Sequence, residues 1–253
     1  MATVFPAPTA VILAAGMGTR LRAVHAEKPK GFVEIDGTAI IARSLALLEA
    51  AGVRDIVLVA GWRDDVYRAF LARRFPGVRV LVNRDFATTG SLASLRLGAA
   101  AVESDILVVE SDLLYEARAL PALLAAPSRN TLLASGLTRS GDEVWVYARD
   151  HRLAQLSKQP WSGAPRLGEL VGLTRLSREL YLEMDRAANS LPAAAHYEDG
   201  LNAVCGQHAI DVLRLENLAW CEIDDSAHMQ RAKESVWPCI QKADRALTWA
   251  SQK

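Results

Sequence analysis

The 253-residue sequence has no net charge, because Lys plus Arg and Asp plus Glu both number 29. No global field therefore recruits nucleic acid or an anionic membrane, and any phosphate binding has to come from a local arrangement. Cysteine is scarce. Cys205, Cys221 and Cys239 are odd in number and show no CxxC spacing, which argues against a disulfide framework and a zinc site and leaves them as buried thiols of a reducing cytosol. No apolar run approaches the ~18 residues of a membrane span, and the opening MATVFPAPTA lacks the basic start and apolar core of a signal peptide. It reads as a short leader. Internal repeats, low-complexity tracts and charge runs are missing too. The expectation is one cytoplasmic domain over 1–253, long enough to bury a sizeable core, with no nucleic-acid or membrane partner.

What is present centres on Ala10 to Lys30, AVILAAGMGTRLRAVHAEKPK. Val11 to Leu13 reads as a buried parallel strand that discharges into Ala14, Ala15, Gly16, Met17, Gly18, Thr19 and Arg20. Small residues let the backbone approach a ligand, and the two glycines allow successive peptide N–H groups to turn inward as a nest for anionic oxygens. Arg20 adds a fork of donors suited to phosphate, and Lys28 and Lys30, around Pro29, add point charges. The plain reading is a polyphosphate cradle. A dinucleotide fingerprint would need a third glycine where Leu21 stands, and its acid, Asp36, falls in a tight turn, Ile35-Asp36-Gly37. A P-loop would need Gly-Lys-Ser/Thr, and no such triplet follows. A solvated glycine turn is the bland alternative.

Along the chain, Thr38 to Ala51 has helical spacing and stops at Gly52. Asp55 to Ala60 is a strand, Asp64 to Arg74 a helix, and Val78 to Val82 a strand after the Pro76-Gly77 turn. Alternation of this kind predicts a parallel sheet covered on both faces, an α/β class. Asn83 to Gly90 is a polar loop that opens a helix over Ser91 to Val102. Ligands of open α/β sheets lie at the carboxyl ends of strands, so this loop and the glycine loop should border one crevice. Thr88, Thr89 and Ser91 also suit helix capping. Ile106 to Val109 is a strand ending in Glu110, Ser111 and Asp112. Later elements are expected as strands over Thr131 to Ser135, Glu143 to Ala148, Leu153 to Ser157 and Glu169 to Thr174, a helix over Ser177 to Ala188, and a helical run within His196 to Cys205. Trp220 to Ile223 is a last strand, ending in Asp224 and Asp225, and Ser226 starts a terminal helix. The tail, with Leu247 and Trp249, packs on the body or on a second subunit. A half that binds nucleotide, about 9–115, joins a half that binds acceptor, about 116–243, with no clean linker.

Two distant segments, VVESD and CEIDD, share one design: a short strand that delivers a carboxylate at its end. If both strands belong to one sheet, Asp112 and Asp224 can share a hard divalent ion, and Mg²⁺ favours few carboxylates plus waters and substrate phosphates. Asp112 as a helix cap is the alternative, and Asp225 ranks second to Asp224.

LAAGMGTRL followed by KPKGFVEIDGTAII resembles the opening of nucleotidyltransferases that join an NTP to a phosphorylated acceptor. That resemblance implies a Rossmann-like, mostly parallel mixed sheet covered by helices, with the triphosphate on Leu13, Ala14, Ala15, Gly16, Met17 and Gly18. It implies base contacts from Thr89, Gly90 and Ser91, a metal on Asp112 and Asp224, and Arg20 and Lys30 as the catalytic cations. TTGSLASL, ESDLLYE and CEIDD are most similar to cytidylyltransferases for phosphocholine and 2-aminoethylphosphonate, which implies CTP as donor. Both acceptors carry an ammonium, which needs a carboxylate or an aromatic face. Tyr197, Glu198 and Asp199 offer both, and the family's acid falls best on Asp199. The absence of a tryptophan directly before the acid favours a primary amine over trimethylammonium. Lys158 is the candidate for the acceptor's phosphoryl oxygens, whereas Trp145 and Trp161 are read as packing. A sugar-1-phosphate enzyme and a non-catalytic nucleotide-binding module are the rivals. The subunit count is left as monomer or homodimer.

Overall fold

The computed structural model describes residues 5–21 and 28–251, the side chains from 248 onward excepted. The start of the leader, the segment from 22 to 27 and the side chain of Trp249 lie outside the described residues. In chain order the elements are β1 (Thr9–Ala14), a 3₁₀ turn (Lys30–Phe32), β2 (Glu34–Ile35), β3 (Thr38–Ala39), α1 (Ile40–Ala50), β4 (Ile56–Ala60), α2 (Asp64–Arg74), β5 (Arg79–Val82), α3 (Ser91–Ala100), β6 (Ile106–Glu110) and β7 (Leu113–Tyr115). There follow α4 (Ala119–Leu124), β8 (Thr131–Ser135), β9 (Trp145–Arg149), β10 (Arg152–Ser157), β11 (Arg166–Leu176), α5 (Arg178–Ala188), α6 (Tyr197–Cys205), β12 (Asp211–Arg214), β13 (Trp220–Glu222), α7 (Ser226–Arg231) and α8 (Trp237–Ser251).

The central sheet runs β5-β4-β1-β6-β11-β8-β12-β10-β9. Its first four strands are parallel, because helical crossovers return each strand in the same direction. Their side chains alternate by the strand period of two. Ala10, Ile12, Ile56, Leu58, Leu107 and Val109 enter one core with α1, α2 and α4. Val11, Leu13, Val57, Val59, Ile106 and Val108 enter the other with α3, α5 and α6. Burial on both faces explains why these strands are continuous apolar runs.

From β11 onward the pairing turns mostly antiparallel. β11 is longer than expected and pairs with β6, β8 and β9, so the later strands close on themselves. Gly172, at φ +83°, sits in the irregular stretch of its ladder. Three other departures are local. Thr38 and Ala39 form a ribbon with Glu34 and Ile35 before the helix begins, turned by Asp36 and Gly37 at φ 51° and 74°. α4 and β12 are too short for a periodicity to announce them. The terminal helix carries a π-type stretch, Ala232–Val236, between α7 and α8.

The strand over Trp220 does not join the central sheet. β13 pairs with β7 as a separate two-stranded sheet, with Glu222 opposite Leu113. Around it Leu21, Val33, Ile35, Ile40, Leu114, Cys221, Ile223, Ala232 and Ile240 form a third core that ties the terminal helices to the body. Among the described residues no helix is long and apolar enough to cross a membrane.

Candidate active site

A cavity of about 380 Å³ opens at the carboxyl ends of β1 and β6. The register explains why the two ends meet: Leu13 lies opposite Glu110, and the Ser111 N–H donates to the Leu13 carbonyl at 3.2 Å. The glycine loop therefore runs beside Glu110-Ser111-Asp112. Leu13, Ala14, Ala15, Gly16, Arg20 and Lys30 line the cavity. Gly16 has open space where a Cβ would stand, while Gly18, at φ +58°, holds the left-handed turn and packs on the Lys30 stem. Met17 and Gly18 are not among the lining residues. Lys28 is exposed, so only Lys30 of the pair points in.

Asp112 and Asp224 meet even though β13 lies outside the central sheet. β7 follows Asp112 directly, and the Ile223 N–H donates to the Asp112 carbonyl at 3.0 Å, which sets the two segments side by side. Lys30 Nζ donates to both carboxylates, at 3.0 Å to Asp112. Arg20 reaches Asp224 at 3.4 Å. Burial opposes the charge on Lys30, but Asp112 and Asp224 overcome it and hold its pKa well above the usual lysine range. No helix follows Asp112, which removes the capping alternative. Asp225 accepts from the His228 N–H at 2.8 Å and caps α7.

Glu110 and Glu222 were missed in the sequence. They occupy the same face as the aspartates because each precedes its aspartate by two residues, and the repeated Glu-x-Asp was the available signal. Carboxylate oxygens of Glu110, Asp112 and Glu222 lie within 4.8 Å of one another. Burial, then the neighbouring acids, raises the pKa of both glutamates. Such a crowd of hard oxygen donors, with no thiol or imidazole among the three, fits a hard divalent ion.

The loop before α3 is braced from within. Asn83 Nδ2 donates to Thr89 Oγ1 at 3.0 Å and to Ser94 Oγ at 3.1 Å, and Thr89 Oγ1 donates to the Asp85 carbonyl at 2.8 Å. No side chain caps α3; Gly90 and Leu92 N–H groups instead donate to carbonyls of 193 and 195. A Cβ on Gly90 would strike the carbonyls of Ala194 and Ala195. Thr89, Gly90 and Ser91 all line the cavity, and Ser91 Oγ accepts from the Tyr197 N–H at 3.0 Å.

In the HYEDG segment the structure separates three neighbours. Tyr197 is fully buried in the core. Asp199 is exposed and accepts from the His196 N–H at 2.8 Å as half of a capping box, so the favoured acid is turned away. Glu198 lines the cavity, its pKa raised by burial, and its buried Oε2 has no hydrogen-bond partner. Lys158 also lines the cavity and pairs with Asp142 at 2.7 Å. Asp142, which also takes Arg20 at 3.2 Å, lies between two expected strands and was not singled out as a site residue in the sequence. Trp161 packs edge-on against Tyr147, and Trp145 stacks under Arg166. Altogether seven carboxylates and three cations line the cavity, which leaves it short of positive charge.

A Rossmann-like sheet with a glycine loop and converging acids defines a nucleotidyltransferase fold. The chain belongs to the family of the MobA-like NTP transferase domain, whose pattern matches residues 10–187. It is 32% identical over 88% of its length to a CMP-5'-(3-aminopropyl)phosphonate synthase of Streptomyces rubellomurinus, of which it covers 38%. It is 27% identical to a 2-aminoethylphosphonate cytidylyltransferase of Lancefieldella rimae, covering 56% of each chain. The chain spans between 38% and 50% of the length of the first curated relatives it matches. Among solved structures, the inositol-1-phosphate CTP transferase from T. maritima superposes with a TM-score of 0.75 at 21% identity, covering 92% of this chain and 99% of that one.

Proposed function

We propose that this chain is a cytosolic, Mg²⁺-dependent cytidylyltransferase that transfers CMP from CTP to a small phosphonate bearing a primary amine, with release of pyrophosphate. The observation that carries the reading is the excess of carboxylates in a cavity shaped for phosphates. Four of them, Glu110, Asp112, Glu222 and Asp224, come from the two Glu-x-Asp segments. A site that takes two anionic substrates and is itself acidic needs cations brought from outside, and a divalent ion and an ammonium are the two kinds it suits.

Asp112 and Asp224, with Glu110 and Glu222 beside them, are the residues that would hold the ion. When bound it supplies charge neutralisation between donor and acceptor oxygens. Leu13 to Gly18 carry the triphosphate, Arg20 and Lys30 take up charge on the phosphoryl oxygens, and the loop of Thr89, Gly90 and Ser91 receives the base. Lys158 orients the acceptor's phosphonate. Glu198, with its unpartnered oxygen, takes the ammonium in place of Asp199. The two aromatic residues of the described lining are Tyr67, whose hydroxyl lies over Gly31, and Phe86, beside Gly61. Tyr197, the aromatic directly before Glu198, is buried in the core and outside the lining, which supports aminoethylphosphonate over phosphocholine.

An oxygen of the phosphonate attacks the α-phosphorus, the new P–O–P bond forms, and the bond to the β-phosphate breaks. Phosphoryl acceptors of this kind lose their second proton near pH 6, so no general base is required at neutral pH. The barrier is repulsion and alignment, which is work for positioned charges. A panel of four NTPs against aminoethylphosphonate, aminopropylphosphonate, phosphocholine and glucose-1-phosphate, read by pyrophosphate release, tests the assignment. CTP with an aminoalkylphosphonate is expected to be fastest, EDTA should stop the reaction, and Glu198→Gln should raise KM for the amine acceptors alone. Release of pyrophosphate with glucose-1-phosphate and none with the amines would sink it.

A further inference from the structure

Three lining carboxylates, Asp142, Glu169 and Glu198, lie outside the two Glu-x-Asp segments. Asp142 projects from the segment between β8 and β9, and its two oxygens hold Arg20 Nη2 at 3.2 Å and Lys158 Nζ at 2.7 Å. Burial works against the charge of Asp142, but Lys158 and then Arg20 hold its pKa below the usual carboxylate range. Two cations from segments far apart in the chain, brought together by one carboxylate, have the form of an oxyanion site already filled.

The segment that carries this carboxylate is clamped at its base. Buried Glu169 accepts from Thr138 N–H at 2.6 Å and from Thr138 Oγ1 at 2.9 Å. Arg231 Nη1 donates to the Thr138 carbonyl at 2.6 Å. His228 Nε2 lies 3.3 Å from the Ser140 carbonyl, and its Nδ1 faces the Asp224 N–H at 3.4 Å, which makes Nε2 the donor of the neutral ring. Beyond this clamp the chain turns at Gly141, φ +91°, a position a glycine hinge takes without strain. The base is fixed at Thr138 and Ser140, and Gly141 stands between it and Asp142.

We propose that Asp142 is an internal substitute for the acceptor's phosphonate: it occupies the seat between Arg20 and Lys158 and is carried out of it, about Gly141, when that anion binds. The assignment to the acceptor rests on the function proposed above, and Lys158 carries it, because it lines the same cavity as Glu198, the residue assigned to the amine. The seat keeps both cations oriented while no acceptor is bound. Competition from a tethered carboxylate also sets a floor on how weak an anion can enter.

The test uses the intact chain and three variants, with methylphosphonate as probe and calorimetric titration as readout. Asp142→Asn keeps the shape and removes the competing charge, and with two partly exposed ion pairs released it should tighten methylphosphonate by about three- to tenfold. Glu143→Gln removes the same charge one residue away and should leave that affinity unchanged. Combining Asp142→Asn with Lys158→Met should abolish the gain, since the seat then lacks one wall. A non-hydrolysable CTP analogue should bind the wild type and Asp142→Asn within twofold of each other. Weaker or unchanged methylphosphonate binding in Asp142→Asn overturns the proposal, as does an equal gain in Glu143→Gln or a gain confined to the CTP analogue. None of these readouts needs turnover, so the seat can fail while cytidylyl transfer stands, and the reverse.

Discussion

Residues 9–115 and residues 116–243 face one cavity but contribute to it in different ways. In the first stretch the contributions follow the chain: each parallel strand ends, and the loop after it points into the crevice, so Leu13 to Gly16, Thr89 to Ser91 and Glu110 to Asp112 arrive as short consecutive runs. In the second stretch the contributions are single side chains, Asp142, Lys158, Glu169, Glu198, Glu222 and Asp224, drawn from segments far apart. The first side combines backbone runs with four charged groups, Arg20, Lys30, Glu110 and Asp112, whereas the second contributes mainly isolated charges. The contrast teaches that substitutions of shape should hurt chiefly the first and substitutions of charge both.

The sharpest test of the charges is Asp224→Asn or Asp112→Asn, one from each stretch. Either should cost about 3–4 kcal/mol of transition-state stabilisation, seen as a fall in kcat of roughly 10²–10³ with the melting temperature kept or raised. A mild effect would return both aspartates to a structural role. Next comes Lys30→Met, which strands the carboxylates it bridges. Loss of one partner of a buried pair predicts destabilisation of about 3 kcal/mol, a drop of roughly 6–12 °C in the thermal midpoint, with Mg²⁺ restoring part of it. If Mg²⁺ restores nothing, the acids are not held as an ion site.

On the backbone side, two glycines should behave oppositely. Gly90→Ala drives a methyl into the carbonyls of 194 and 195 and is expected to cost about 1–3 kcal/mol in urea unfolding. Gly16→Ala meets nothing within 4 Å, so stability should change by less than about 0.5 kcal/mol while CTP binding weakens. Equal stability losses at both would erase the distinction between a packing glycine and a ligand glycine.

The smallest effect expected is pH-dependent. Burial pushes the Glu169 carboxyl up to about 7, despite the hydrogen bonds from Thr138. Its folded pKa lies above the unfolded value, so no stability is lost below about pH 4.5, and the folded state is increasingly penalised as pH rises towards 7. Glu169→Gln should therefore be more stable than wild type by about 1–2 kcal/mol at pH 8, with the difference vanishing near pH 4.5. A difference that is flat across that range would remove the titration from Glu169.

Much of the first stretch was legible because its signals are local. Val11 to Leu13, DIVLVA and Ile106 to Val109 announce themselves as buried strands by composition, and α2 spans the expected residues, Asp64–Arg74. The glycine loop could be placed because a strand end fixes where its next residues go. Asp199 was preferred to Glu198 because the resembling family's acid falls best there, and a sequence does not show which of two adjacent helix residues faces inward. At the first turn of α6 the capping box takes Asp199 to the His196 N–H, and the 100° step of the helix aims Glu198 at the cavity. The route by which Asp112 and Asp224 meet was also hidden, since β13 finds β7 and not the central sheet.

By itself the sequence determined the α/β class, the glycine-rich loop after β1 and the two acids at 112 and 224, because each is a property of neighbours along the chain: hydrophobic period, glycine freedom, a charge at a strand's end. Only the tertiary structure decided that Glu110, Glu198 and Glu222 crowd the same cavity and that Asp142 joins Arg20 to Lys158. Those are encounters across as many as 122 positions between Arg20 and Asp142, and their distances are set by how strands pair and helices pack, not by any pattern a short window of sequence contains.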